Sequence, residues 1–205
     1  MSILFCTPCY GGMVTAPHFR SCMNLKEDLT RLGIPHDWNI GWNESLVHRA
    51  RMEMTRAFLT TDHTHMMWID ADIEFTSDDV AKLWNLQADI AVGVYRMKRP
   101  GDLYAAWVDG ALVTDLSRFT GPIEVDFAGT GFMLINRKVI EALTEKHGTY
   151  LGSHGPSPAI YMTPIYNGGL ESEDYHFCRI AREAGYKVIM DPSVKLKHWG
   201  QFAWA

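Results

Sequence analysis

Apolar and amphipathic runs alternate along the first hundred residues. Residues 2–7 read as an apolar strand, and Thr15 with Pro17 opens a helix that Gly33 closes, by the N-cap, early-proline and C-cap signals. A second strand is predicted over 34–40. Ser45 is then expected to cap a helix carrying Leu46, Arg49, Met52, Arg56 and Leu59. Residues 65–69 read as a third strand, apolar from Met66 to Ile69, that ends in Asp70-Ala71-Asp72. Thr76 and Asp79 stand at capping-box spacing before a short helix, and 88–95 is a Val/Ile-rich strand. This β-α-β-α-β-α-β order predicts an α/β fold, with a mostly parallel central sheet and helices on both faces.

From about residue 101 the pattern changes. Asp109-Gly110 sits between alternating runs at 103–108 and 111–116, a hairpin signal that grafts a small antiparallel addition onto the parallel half. Strand-like segments 123–128 and 131–136 flank Gly129-Thr130-Gly131, and a helix follows from about Lys138 to Lys146, ended by Gly148. Residues 148–170, rich in glycine and proline, predict no regular element, and a loop of that length suggests a lid over a substrate. Glu173 and Asp174 begin a helix that runs to Ala184, with Gly185 beyond it. Two short strands, 187–191 and 194–198, finish the pattern.

Composition narrows the partners. With 205 residues, 47% hydrophobic, the chain fills one sizeable core, so a single domain over 1–205 is expected. The change of pattern near residue 101 divides it into halves, 1–100 and 101–205. A net charge of −5 provides no basic field for nucleic acid. The apolar run Ile3-Leu4-Phe5-Cys6 is too short for a leader or transmembrane segment, so a cytoplasmic location is expected. Four cysteines among 205 residues do not suggest a disulfide framework. Cys6-Thr7-Pro8-Cys9 has C-x-x-C spacing, but without a second such pair, and within a strand, it reads as coincidence rather than a redox or zinc site.

The chemistry concentrates at strand ends. Asp70 and Asp72, at the carboxyl end of a buried strand, project into the crevice where open α/β sheets bind ligands, and their oxygens suit a hard divalent cation. Asp174 shares a helix face with Phe177, Cys178 and Ala181, where a carboxylate is costly without a partner or a task. Gly129-Thr130-Gly131 is too short for a dinucleotide fingerprint, so a Rossmann cofactor is not expected.

In order and spacing, six segments together resemble the GT-A fold of nucleotide-sugar-dependent glycosyltransferases. They are the first strand with Thr7-Pro8-Cys9-Tyr10, Ser45-Leu46-Val47-His48-Arg49-Ala50-Arg51, Asp70-Ala71-Asp72, Gly129-Thr130-Gly131-Phe132, Glu173-Asp174 and Lys197-His198-Trp199-Gly200. The flavour is that of small stand-alone enzymes of large DNA viruses, phages and bacteria. The resemblance implies a sugar moved from a nucleoside diphosphate, UDP by family habit, to an acceptor hydroxyl. It also implies Mn2+ (or Mg2+) held by Asp72 and His198 with Asp70 near the metal or ribose. Thr7, Pro8, Cys9, Tyr10, Ala71 and one of Arg49 and Arg51 would meet the nucleotide. Gly129, Thr130, Gly131, Trp199 and Lys98 would face the donor sugar, its diphosphate or the acceptor. Asp174 would be the base of an inverting reaction, with Glu173 on acceptor hydroxyls.

Two alternatives stay open at this level. Asp70-Ala71-Asp72-Ile73-Glu74 resembles the nucleophile strand of haloacid-dehalogenase-like phosphatases, although that pattern normally ends the first strand and wants Thr or Val where Glu74 stands. A carbohydrate-binding module is the other, suggested by the aromatic content; within the glycosyltransferase resemblance, Trp107, Trp199 and Tyr161 are candidate sugar-stacking platforms.

Overall fold

The computed structural model describes residues 2–200 and the backbone of Ala203 and Trp204. In chain order the elements are β1 (Ile3–Cys9), α1 (Ala16–Arg31), β2 (His36–Trp42), α2 (Val47–Leu59), β3 (His65–Ile69), β4 (Ile73–Glu74), α3 (Ser77–Asn85) and β5 (Ile90–Val92). There follow β6 (Ala106–Val108), β7 (Ala111–Leu112), β8 (Ile123–Glu124), β9 (Phe127–Ala128), β10 (Phe132–Asn136) and α4 (Arg137–His147). The remainder comprises β11 (Thr149–Gly152), β12 (Gly155–Pro158), β13 (Ile165–Tyr166), β14 (Gly169–Leu170), α5 (Glu173–Glu183), β15 (Val188–Met190), β16 (Lys197–Trp199) and β17 (Ala203–Trp204).

The central sheet has the order β2-β1-β3-β10-β5-β15-β8. Strands β2, β1, β3, β5 and β15 run one way, whereas β10 and β8 run antiparallel to their neighbours. The sheet is mostly parallel. β10 wedges between β3 and β5, at the centre of the parallel half. Its Phe132, Met133, Leu134 and Ile135 are all buried, as a strand covered on both faces requires.

Alternation along the strands sends side chains into two cores. Leu4, Cys6, Met66, Trp68, Met133 and Ile135 pack under α2, α4 and α5, while Ile3, Phe5, Met67, Ile69, Phe132 and Leu134 pack under α1 and α3. Thr15 caps α1 through the His18 amide, with Pro17 in the first turn. Thr76 and Asp79 close a full capping box on α3. Ser45 does not cap α2. Leu46 occupies that position, and the Glu44 carboxylate accepts its amide at 3.0 Å.

The Asp109-Gly110 hairpin forms as expected, both residues having positive φ (52° and 74°) between β6 and β7. The structureless reading of 148–170 is overturned by two hairpins, β11/β12 and β13/β14. The first runs into the core rather than over a site: Ser157, Ile160 and Tyr161 are fully buried, and the Tyr161 hydroxyl accepts the Trp68 indole N–H at 2.8 Å. Tyr161 stacks on Phe177, so it is not a sugar platform. Among the described residues no helix is long and apolar enough to cross a membrane.

Candidate active site

The carboxyl end of β3 is held from three directions. The Asp70 amide donates to the Gly131 carbonyl (2.9 Å), Thr15 N–H donates to the Ala71 carbonyl (2.9 Å), and Trp199 N–H donates to the Asp72 carbonyl (2.8 Å). The chain then turns into β4, which pairs antiparallel with β16 and sets Ile73 opposite His198. This short ladder brings a histidine from near the end of the chain to the aspartates.

Asp72 lies between Lys98 and His198. Its carboxylate is bonded to the Lys98 ammonium, and His198 Nε2 stands 3.5 Å from its other oxygen. Burial by itself would raise the Asp72 pKa, but the hydrogen bonds and charges of His198 and Lys98 prevail and bring it down to about 2. The other ring nitrogen of His198, Nδ1, lies 2.9 Å from the Arg96 carbonyl. A carbonyl only accepts, so Nδ1 carries a proton. A ligand histidine oriented through its second nitrogen has that arrangement.

Imidazole and carboxylate so placed fit a manganese or magnesium ion. Among the described residues no group of three or more His, Cys, Asp and Glu side chains is assembled around such a point, so these two would supply the protein's share of the ligands.

Asp70 faces the other way. Arg51, 3% exposed, places Nη2 at 2.9 and 3.3 Å from the two Asp70 oxygens and Nε at 3.5 Å from Glu173, with its guanidinium 5.1 Å over the Trp68 ring. Burial opposes the charge on Arg51, yet the Asp70 and Glu173 carboxylates hold it above the ordinary arginine value. The two arginines of α2 thus part company: Arg51 joins β3 to α5 from inside, whereas Arg49 grips Glu44 at the surface through two bonds of 2.6 and 2.7 Å.

Beyond Arg51 lies the start of α5. The Asp174 carboxylate accepts from the Ser172 hydroxyl and from the Tyr175 amide. Burial, then the adjacent Glu173 charge, raises its pKa above the ordinary value. Tyr95 fills the space that Gly129 and Gly131 leave. A Cβ at either glycine would fall 2.5 Å from the Tyr95 hydroxyl, and at Gly131 also 2.9 Å from Asp70. Thr130 is buried between them.

A cleft of about 440 Å³ opens beside the aspartates, a size that suits a nucleotide. Pro8, Cys9, Tyr10, Asp70, Ala71 and Asp72 line it, as do Thr15 and Glu44. Thr7 is buried within β1, behind the cleft. Tyr10 is 74% exposed at the rim. The Cys9 thiol donates to the Met13 carbonyl, and burial pushes the pKa values of Cys6 and Cys9 up, the reverse of what a reactive C-x-x-C needs. Trp199 is half-buried, its indole N–H donated to Glu74 at 2.8 Å, and Trp107 donates likewise to Tyr175 at 2.6 Å.

Sequence reasoning missed Glu44 and Tyr95. Nothing local marked them, since Glu44 matters through the fold of the β2–α2 loop and Tyr95 through two distant glycines.

No protein-family profile matches the sequence, and no curated protein matches it. Solved structures do. A197 from STIV superposes with a TM-score of 0.62 over 98% of this chain and 86% of that one, at 19% identity. GalNAc-T7, solved with UDP, GalNAc and Mn2+, matches at 0.53 over 96% of this chain and 42% of that one, at 12% identity. The chain has a GT-A fold. The inositol-1-phosphate CTP transferase from T. maritima is also similar, with a TM-score of 0.50 and 11% identity over 97% of this chain and 88% of that one. A GT-A sheet carrying the aspartates on its third strand is not the haloacid-dehalogenase arrangement, in which they end the first.

Proposed function

We propose that this GT-A chain is a metal-dependent glycosyltransferase that moves a sugar from a nucleoside diphosphate, UDP by family habit, to an acceptor hydroxyl. The observation that carries the reading is Asp72 at the end of β3, set between His198 and Lys98 beside the cleft. A divalent cation there would supply Lewis-acid stabilisation of the charge that develops on the leaving diphosphate. Asp72 and His198 would hold it, with Asp70 close to the metal or ribose and kept in place by Arg51. Lys98 is near enough to exchange its bond to Asp72 for one to a phosphate oxygen. Pro8, Cys9, Ala71 and Tyr10 would receive the nucleoside, with Tyr10 stacking on the base.

Asp174, its pKa raised, would accept the proton of the attacking hydroxyl in an inverting reaction, while the Glu173 oxygen not facing Arg51 would bind acceptor hydroxyls. Gly129-Thr130-Gly131 and Trp199 would border the donor sugar. Of the expected lid only the second hairpin is suited to the role: Ile165 and Leu170 are each 74% exposed, and the hairpin leads directly into α5. A cytoplasmic location belongs to the same reading.

The shared fold with a CTP transferase makes nucleotidyl transfer the competing activity. Incubation with UDP-, GDP- and CDP-sugars and Mn2+ is expected to release nucleoside diphosphate as the sugar passes to an added hydroxyl acceptor or, more slowly, to water. Pyrophosphate from CTP plus a sugar phosphate would instead establish nucleotidyl transfer. Orthophosphate from a generic monoester, or no turnover of any of these, would end the transferase reading.

A further inference from the structure

Tyr95 is placed by the strand before it. β5 is buried between β10 and β15, and just past its carboxyl end Ala105 N–H donates to the Tyr95 carbonyl at 3.0 Å, which fixes the backbone there. The residue is 8% exposed. Its hydroxyl accepts the Gly131 amide at 3.1 Å, and the carbonyl of the same glycine accepts the Asp70 amide at 2.9 Å. Through one glycine the phenol is tied to the end of β3. Burial, then the charges of Asp70 and Asp174, push its pKa up, so the hydroxyl stays protonated at neutral pH.

The ring meets a second part of the site. Tyr95 and His198 pack edge to face, with centroids 4.9 Å apart and planes at 70°. The carbonyl bonded to His198 Nδ1 belongs to the next residue, Arg96. One dipeptide therefore restrains the histidine twice, by a hydrogen bond to its ring and by contact with it. Tyr95 joins the end of β3, the Gly131 turn and β16, three segments far apart in sequence.

We propose that Tyr95 is a positioning residue for the metal site: its ring keeps His198 turned toward Asp72, and its hydroxyl keeps the Gly131 turn against Asp70. This assignment rests on the metal-dependent transferase reading. The two parts of the side chain can be separated, because Tyr95→Phe keeps the ring and loses the bond to Gly131, whereas Tyr95→Leu loses both.

The test is isothermal titration of Mn2+, in the presence of UDP, into the full chain and into Tyr95→Phe, Tyr95→Leu, His198→Ala and the double variant Tyr95→Leu with His198→Ala, each checked for native circular dichroism. Wild type is expected to take up Mn2+ with saturation. Tyr95→Phe is expected to hold its Kd within about twofold, and Tyr95→Leu to weaken it about three- to tenfold. The double variant is expected to bind no more weakly than His198→Ala alone, since a residue that acts through the histidine has nothing to act on once the imidazole is gone. With the donor that wild type cleaves, Tyr95→Phe is expected to lower kcat about tenfold and to leave the donor KM within about threefold, as a misplaced turn rather than a lost contact would.

Wild-type Mn2+ affinity in folded Tyr95→Leu, or losses that add in the double variant, would make Tyr95 a core residue and overturn the assignment while leaving the transferase reading in place. Wild-type kcat in Tyr95→Phe would overturn the part given to the hydroxyl, and this variant decides by itself if Tyr95→Leu does not fold. A wild-type chain that takes up no Mn2+ would overturn both the assignment and the reading on which it rests.

Discussion

Asp72 and Asp174 are the same side chain in opposite electrostatic conditions. Both are half-buried, and Arg51 reaches toward both regions through Asp70 and Glu173. At Asp72, neighbouring cations overcome burial and hold the carboxyl ionised down to about pH 2. At Asp174, burial and a like charge act together and push the pKa up. Environment therefore separates a residue suited to a permanent negative charge from one suited to taking a proton, and such separation is how paired carboxylates divide acid–base and electrostatic work.

The comparison breaks most completely at Asp72. Asp72→Ala is expected to lower metal-dependent donor cleavage by about 10³-fold, the loss of roughly 4 kcal/mol of charge stabilisation, while circular dichroism remains that of the folded protein. Turnover near wild type at saturating Mn2+ would remove the carboxylate from the mechanism. Arg51 comes next, because it serves both regions. Arg51→Ala leaves the Asp70 and Glu173 carboxylates without their buried partner and is expected to cost about 3–5 kcal/mol in chemical denaturation. Arg51→Lys keeps a charge but cannot span both carboxylates. It is expected to stay folded and to lose about 10- to 100-fold in kcat with a smaller change in donor KM. Equal losses in both parameters would mean that Arg51 touches the nucleotide after all.

How legible each region was follows from how local its causes are. The β3 run and its terminal aspartates are visible in the sequence because a buried parallel strand must be apolar throughout and its polar end must face the crevice. The meeting of Asp72 with His198 was expected from family likeness, and the β4–β16 ladder that creates it spans too few residues to carry a period. The β10 run was seen as a strand but not as a central one. Its unbroken burial was the available clue, whereas strand order is set by long-range packing. The reading of 148–170 failed because glycine and proline there make tight hairpins, and because Tyr161 is buried by Trp68 and Phe177, partners far away in sequence. Arg51 shows the same limit. Helical spacing separates it from Arg49 but gives no hint that one of the two is buried.

A smaller effect sharpens the contrast at Asp174. Glu173→Gln removes the like charge that assists burial in raising the Asp174 pKa, so the acid limb of the kcat/KM profile is expected to move to lower pH. At pH 7, kcat is expected to change by less than about tenfold. A profile that keeps its limb in place would show that Asp174 is not the group that titrates.

The smallest effect concerns stability, and its sign differs between the two sites. A carboxyl whose folded pKa is depressed adds stability above its unfolded value near 3.9, and that stability is lost as pH falls through the folded value, so the contribution of Asp72 fades between about pH 4 and 2. A carboxyl whose folded pKa is raised adds stability only at low pH and loses it as pH rises through the folded value. Asp174 thus burdens the fold at neutral pH and not below about pH 4. At pH 7, Asp72→Asn is expected to cost about 1 kcal/mol, since its partners are partly solvated, and Asp174→Asn to gain about 0.5–1 kcal/mol, as happens when a strained functional group is neutralised. Chemical denaturation at pH 7 and pH 3.5 measures both. The Asp174→Asn gain should vanish at the lower pH, and destabilisation by both substitutions at pH 7 would mean that Asp174 is a structural carboxylate held by Ser172 and the start of α5, not one kept ready for a proton.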